Sequence, residues 1–274
     1  MPEGDTIHRA ARRMHEALSG SVVVGFRSVL PQLTRVHDDD PITGRTIEAV
    51  RSVGKHLIID LSGGLHLRTH MRMNGSWHLY RPGEKWRGRA VDVRIVISTD
   101  TFVAVGFSIP VAEFLTDPAL ARQEDLLKIG PDVLAPEFDL AEAARRIRSR
   151  PESEIADALL NQRLVAGIGN VFKSEILFVS EVNPFVLIEK IEEMTLQRIL
   201  SNARKLMRVN VAKENRQTGR FTTGRLNPQE KLWVYSRGGS PCLRCGTAIE
   251  YRKQGKDARG TYWCPNCQPS VGRL

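Results

Sequence analysis

Residues 242–267 read CLRCGTAIEYRKQGKDARGTYWCPNC, two C-x2-C pairs with 18 residues between them. Two tight thiolate pairs brought together by a hairpin complete a tetrahedral site, which is the geometry zinc takes, so Cys242, Cys245, Cys264 and Cys267 are expected to hold one structural Zn2+. Two disulfides are the alternative, but no secretion segment accompanies them and adjacent x2 pairs staple little chain. A redox role for either pair would take away the other pair's partner. Between the pairs, Arg259 stands beside Gly260 on an arm that the metal would fix. A guanidinium held at such a tip suits a phosphate, with Lys253, Lys256 and Arg244 adding positive potential nearby. An ordinary zinc knuckle with an exposed arginine is the plainer reading of the same residues.

The charge of the whole chain has the same address. Residues 1–200 carry 25 Lys or Arg against 27 Asp or Glu, whereas residues 201–274 carry 15 against 4, so the last segment holds more than the entire net charge of +9. Such a segment neutralises phosphates and releases counterions, which points to nucleic acid. The 274 residues, 41% hydrophobic, are enough for two packed domains. No apolar run reaches bilayer length and MPEGDTIHRA is no apolar signal segment, so a membrane role is excluded and the product is expected to stay in the cytoplasm, nucleoid-associated when bound to DNA.

Upstream, Ile7, Ala10, Ala11, Met14 and Leu18 share one helical face, so Thr6 to Leu18 is expected to be a helix capped by Asp5 or Thr6. From Val22 to about Val105 the pattern turns to short β-branched runs, TIEAV, HLIIDL, GLHLRTH, VDVRIVIS and TFVAVGF, with Gly63-Gly64 as a hairpin turn. This reads as a twisted sheet or sandwich. Around Ile129 to Glu137, GPDVLAPE breaks the pattern, and the division is placed at 1–130 and 131–274. AEAARRIRSR, ESEIADALLNQRLV and Ile188 to Leu206 then read as helices, with a glycine turn in AGIGN before another short one. Gly219 and Gly224 are expected in an extended connection leading to the zinc segment at 236–270.

Chemistry has several possible seats. Removal of Met1 exposes the secondary amine of Pro2, and a terminal amine titrates near ~8, against ~10.4 for lysine. The positive end of the following helix lowers it further, leaving a nucleophile able to attack a sugar C1′ and form an iminium ion. Glu3 beside it can move protons. A terminal proline can equally do no more than resist degradation. Lys55, in RSVGKHLII, can reach a phosphate from a strand end or simply be a solvated edge lysine. In THMRMNG, His70 begins a turn from which Arg72, Met73 and Asn74 can project together. Met73 suits insertion into a DNA stack and a small core cluster equally well. In AGIGN, Gly167 and Gly169 allow an unusual backbone path, and Asn170 can cap a helix and offer its amide to a phosphate.

Taken in order, PEGD, RSVGKHLII, THMRMNG, GPDVL, LLNQRLVAGIGNVFKSEIL and VYSRGGSPCLRCGTAIEYRKQGKDARGTYWCPNCQ resemble the formamidopyrimidine-DNA glycosylase and endonuclease VIII family over nearly the whole chain. The resemblance implies an α+β fold: an N-terminal two-layered antiparallel β-sandwich with a leading helix, then a helix-two-turn-helix domain with a β-hairpin zinc finger. It implies a bifunctional glycosylase and lyase acting on damaged DNA, with the damaged nucleotide flipped out, and a monomer is expected because the binding cleft can be built within one copy. By this likeness Pro2 is the nucleophile, Glu3 the catalytic acid and Lys55 the catalytic lysine, with Lys55, Asn170 and Arg259 holding the phosphates that flank the sugar.

The sequence also departs from the family. Thr6 stands where many members have a second glutamate. VGFSIPVAEF lacks the Arg-Phe pair that the oxidised-purine branch uses to fill the space of the extruded base. That favours the endonuclease VIII-like branch and oxidised pyrimidines. The competing readings are an oxidised-purine glycosylase of the same fold, a noncatalytic damaged-DNA-binding protein, and an RNA-binding zinc protein that would leave Pro2, Glu3 and Lys55 unexplained.

Overall fold

Ile7, Ala11, Met14 and Leu18 recur at helical spacing and form the buried stripe of α1 (Gly4–Leu18). The computed structural model describes residues 2–212, 220–225 and 227–270. In it the helix begins two residues earlier than its apolar period suggests. Glu3, not Asp5 or Thr6, occupies the cap position, and its carbonyl accepts from Thr6 N at 3.0 Å and Ile7 N at 3.1 Å. Asp5 is instead buried within the first turn, where its negative charge faces the positive end of the helix.

Two four-stranded antiparallel sheets follow. β1 (Gly25–Ser28), α2 (Pro31–Asp39), β2 (Ile47–Val53), β3 (His56–Leu61), β4 (Leu65–His70), β5 (Ser76–Tyr80), β6 (Val93–Ser98), β7 (Val103–Phe107) and β8 (Val111–Thr116) come in that order along the chain. One sheet has the strand order β1-β6-β7-β5 and the other β2-β3-β4-β8. Alternation does the layering: Leu57, Ile59, Leu61 and Leu67 from one sheet share a core with Ile95, Ile97 and Ala104 from the other, and α1 packs into it. The runs HLIIDL, GLHLRTH, VDVRIVIS and TFVAVGF contain β3, β4, β6 and β7, and Gly63-Gly64 does turn β3 into β4. The β-branched reading from Val22 to Val105 missed α2, whose start is marked by Pro31 at the first helical position.

The second sheet carries a polar ladder on its other face. Asp60 accepts two hydrogen bonds from Arg51 at 2.7 and 3.1 Å, His66 bridges Asp60 at 2.6 Å and Asp117 at 2.8 Å, and Arg68 donates to Glu113 at 2.6 Å. Charges this shielded persist because each has a partner. The short helices α3 (Asp117–Ala121) and α4 (Glu124–Leu127) close this unit, which ends at Lys128.

The second unit starts at Ile129. It contains α5 (Leu140–Arg148), capped by the Asp139 carboxylate on Glu142 N at 2.8 Å, then α6 (Ile155–Leu160), α7 (Asn170–Val179) and α8 (Glu193–Ala212). α7 is buried on every side, from Asn170 through Phe178, and with Leu159, Phe172, Leu196 and Ile199 it centres the helical core. A hairpin of β9 (Glu250–Gln254) and β10 (Arg259–Trp263) completes the unit. Of the expected connection, Gly219 lies outside the described residues. Among the described residues no helix is long and apolar enough to cross a membrane.

Candidate functional site

The first unit gathers its candidate residues at one end of the β2–β3 ribbon. Val53 pairs with His56, so Gly54 and Lys55 form a two-residue turn. Gly54 has φ +57°, a left-handed value at the first turn position that a glycine adopts without strain and that suits the twist of the flanking strands. Lys55 occupies the second position, half-buried.

α1 leads to the same place. His15 Nδ1 accepts from Val50 N at 3.2 Å, and seven residues earlier His8 Nδ1 lies 3.2 Å from Ser52 Oγ. The helix therefore runs along β2 toward the Gly54-Lys55 turn, and its next turn back carries Glu3 and Pro2 in that direction. Pro2 is half-buried and Glu3 is fully buried. Thr6, where a second glutamate was absent, hydrogen-bonds Asp5 through its hydroxyl at 3.3 Å.

His56 and His70 face each other across β3 and β4, rings edge-on with centroids 4.9 Å apart. Burial first, then charged neighbours, lower both from 6.5 to about 4; Arg72 and Lys55 lead the charge effects on His70, and His70 and Arg68 those on His56. Both rings are thus neutral at pH 7. His70 Nδ1 accepts from Arg72 N at 3.0 Å and pins the start of the loop to β5. At its end Gly75 N donates to Met71 O at 2.8 Å, and any Cβ at Gly75 would meet that oxygen at 2.5 Å. Between these ends Arg72, Met73 and Asn74 are all exposed, with Met73 57% accessible, while Met71 is the methionine in the core. The core alternative for Met73 is therefore excluded. The region VGFSIPVAEF passes from β7 to β8 through only Ser108, Ile109 and Pro110, with Ile109 fully buried.

In the second unit Gly169, not Asn170, is the cap of α7, and Asn170 is its first helical residue. Its side chain turns to the hairpin, where Nδ2 donates to Gly260 O at 3.0 Å. Its Oδ1 is buried with no hydrogen-bond partner, an open acceptor of the kind that marks functional polar groups. Gln162 ties the preceding turn, donating to Leu160 O at 2.9 Å and Ile168 O at 3.0 Å and accepting from Gly167 N at 3.0 Å. Arg259 opens β10 at the hairpin tip, opposite Gln254, exposed and 3.9 Å from Asp257. Arg244 was expected to add charge near this tip. It is engaged elsewhere, paired with Glu181 at 2.5 Å and stacked on Phe178.

The four cysteine sulfurs lie within 4.8 Å of one another, Cys242 and Cys267 at 3.9 Å and Cys245 and Cys264 at 3.5 Å. Thiolates about 2.3 Å from a central tetrahedral ion sit roughly 3.8 Å apart, whereas a disulfide needs about 2.05 Å. The cluster thus fits a bound metal and not two disulfides. Hydrogen bonds from Thr247 lower Cys245 to about 6, while burial raises Cys264 and Cys267. The knuckle packs its Cys242 and Cys264 with Phe178, Val234 and Ile249.

Two residues of α7 escaped the sequence reading. Glu175 is wholly buried and accepts from Trp233 N at 2.7 Å, Val234 N at 2.9 Å, Tyr235 N at 2.8 Å and the Thr222 hydroxyl, fastening the approach to the finger. Lys173 is equally buried. A lysine and a glutamate two positions apart in a mostly apolar helix were the available signal.

Comparison with known proteins covers the chain in three pieces. Residues 1–106 match the formamidopyrimidine-DNA glycosylase N-terminal domain, residues 129–222 its H2TH domain, and residues 239–269 the zinc finger found in FPG and IleRS. Among curated relatives, "Probable endonuclease 8 2" of Streptomyces coelicolor is 40% identical, covering 98% of this chain and 94% of its own. The "DNA-(apurinic or apyrimidinic site) lyase Nei2" of Mycolicibacterium smegmatis is 33% identical over 98% and 99%. A solved structure of Lactococcus lactis Fpg in complex with abasic-site DNA shares the fold, with TM-score 0.82 at 22% identity over 98% of this chain and all of its own.

Proposed function

Because the chain belongs to the formamidopyrimidine-DNA glycosylase and endonuclease VIII family, on its endonuclease VIII-like side, we propose that it is a bifunctional DNA glycosylase and abasic-site lyase of base excision repair that removes oxidised pyrimidines. The observation that supports this reading is that α1, which follows Pro2 and Glu3, lies along β2, the strand that leads into the Gly54-Lys55 turn.

With Met1 removed, the Pro2 nitrogen attacks C1′ of the flipped-out nucleotide and the base leaves with the glycosidic electron pair. Loss of the ring oxygen's bond to C1′ gives an iminium ion on Pro2. The iminium acidifies the C2′ proton, and its removal expels the 3′ phosphate. A second elimination expels the 5′ phosphate, and water returns the free amine. Glu3, buried beside the amine, protonates the opening sugar and accepts protons afterwards.

Backbone phosphates are the targets of Lys55 and His70 in the first unit and of Asn170 and Arg259 in the second. Met73, with Arg72 and Asn74, enters the stack from which the damaged base has left; its exposure on a loop closed by His70 and Gly75 supports that role. The three-residue link from β7 to β8 leaves little chain for a purine-specific insert, in keeping with pyrimidine lesions. Cys242, Cys245, Cys264 and Cys267 hold one zinc ion, which fixes the finger and takes no part in the chemistry. The enzyme acts as a monomer in the cytoplasm, at the nucleoid when bound to DNA.

The test is borohydride trapping of the purified protein on duplex DNA carrying thymine glycol or 8-oxoguanine, followed by mass mapping of the adduct. The expected outcome is a bond at Pro2, formed preferentially with thymine glycol. Preferential trapping on 8-oxoguanine would reverse the substrate assignment and keep the mechanism. No adduct with either lesion or with an abasic-site duplex, given Met1 removal, would sink the catalytic reading.

A further inference from the structure

We propose that Lys173 is a positioning residue that seats the zinc-finger hairpin on the start of α7 and so holds Arg259 in place for phosphate. The proposal rests on the reading of Arg259 as a phosphate contact.

Lys173 is fully buried, and an ammonium is costly to bury unless it is bound on several sides. Its Nζ donates to Thr261 Oγ1 at 2.6 Å and lies 3.4 Å from Gly260 O, the same carbonyl that accepts from Asn170 Nδ2. Gly260 is the immediate neighbour of Arg259. A lysine ammonium has three donors and no acceptor, so the proton of the Thr261 hydroxyl must point onward. It reaches Gln254 Oε1 at 2.7 Å, and Gln254 Nε2 in turn donates to Glu154 Oε2 at 2.5 Å and Pro184 O at 3.2 Å.

Gln254 is the register partner of Arg259, so this one-way chain of bonds grips both strands of the hairpin at its tip. Among the described residues Arg259 itself pairs with Asp257, 3.9 Å away and mostly exposed. The position of its guanidinium is therefore inherited from the hairpin beneath it. Being fully buried, Lys173 cannot touch a phosphate, so its effect on DNA passes through the groups it seats, of which Arg259 is the charged one that a salt slope reads.

The decisive measurement is the salt dependence of affinity for a duplex carrying a tetrahydrofuran abasic analogue, using the whole zinc-loaded chain. Arg259→Ala should lower the slope of log K against log salt by about 0.9, one phosphate contact. Lys173→Met should lower it by a similar amount and weaken binding on the order of tenfold. The double variant should lose no more slope than Arg259→Ala alone. Thr261→Val should repeat the effect of Lys173→Met, while Thr261→Ser, which keeps the hydroxyl, should bind with the parental slope. This second pair decides the matter if Lys173→Met does not fold.

A parental slope in Lys173→Met and Thr261→Val, beside a reduced one in Arg259→Ala, overturns the inference and leaves the phosphate reading standing. Additive slope losses in the double variant also overturn it, because Lys173 would then act as an independent charge. A parental slope in Arg259→Ala overturns the phosphate reading itself.

Discussion

In the sandwich unit the candidate residues stand where the backbone ends or turns: Pro2 and Glu3 before α1, Lys55 in a two-residue hairpin, Met73 on a loop closed by His70 and Gly75. In the helical unit Asn170 and Arg259 stand over a buried polar network in which Lys173, Thr261 and Gln254 hold one another. The first arrangement takes its geometry largely from where the main chain ends and turns, helped by single side-chain contacts from His8, His15 and His70. The second takes it from side chains that satisfy each other in a low-dielectric interior, where removing one leaves the rest unpaired. Substitutions should therefore separate chemistry from folding in the sandwich and couple DNA binding to folding in the helical unit.

The harshest test of that contrast is Cys264→Ser. The finger lacks a large core of its own, and a structural zinc supplies about 10 kcal/mol of apparent binding to domains of this kind. The variant should lose its metal, measured by elemental analysis, and should lose the hairpin order and most DNA affinity together. A metal-free variant with native affinity would break the comparison on the helical side.

Pro2→Gly probes the other side. The substitute keeps a terminal amine but not the secondary amine, so turnover should fall by roughly a thousandfold while the melting temperature stays that of the parent. A drop in stability as large as the drop in rate would mean that the sandwich site is not independent of its fold.

The smallest expected effect is a pH dependence confined to the sandwich. His56 and His70 are held at about 4, whereas in the unfolded chain they titrate near 6.5. Unfolding takes up their protons, so stability should decline as pH falls from 6.5 toward 4 and should not vary with pH through this pair above that range. The double variant His56→Gln, His70→Gln should flatten that decline in thermal melts. An unchanged decline would show that other groups drive the acid sensitivity.

Much of this molecule can be read directly from residue order. The period of Ile7, Ala11, Met14 and Leu18 announces α1, alternation in HLIIDL and VDVRIVIS announces two inner sheet faces, and the paired C-x2-C spacing announces a metal knuckle. These signals are local because helix and strand periods and ligand spacings are properties of a short stretch of chain. Where local cues competed, the structure differed: Glu3 and Gly169 took the cap positions expected of Asp5 or Thr6 and of Asn170, and α2 interrupted what read as continuous strand.

By itself, then, the order of residues determined the class of most elements and the four-cysteine cluster, and it named Pro2 as the candidate amine, since each depends on neighbours close in the chain. Only the tertiary structure decided that Met73 is exposed while Met71 is buried, that Arg244 is bound by Glu181, and that Lys173 meets Thr261. Those facts depend on pairs as far as 88 positions apart, and whether a charge or a methionine ends in water or in the core is settled only when the elements that surround it have packed.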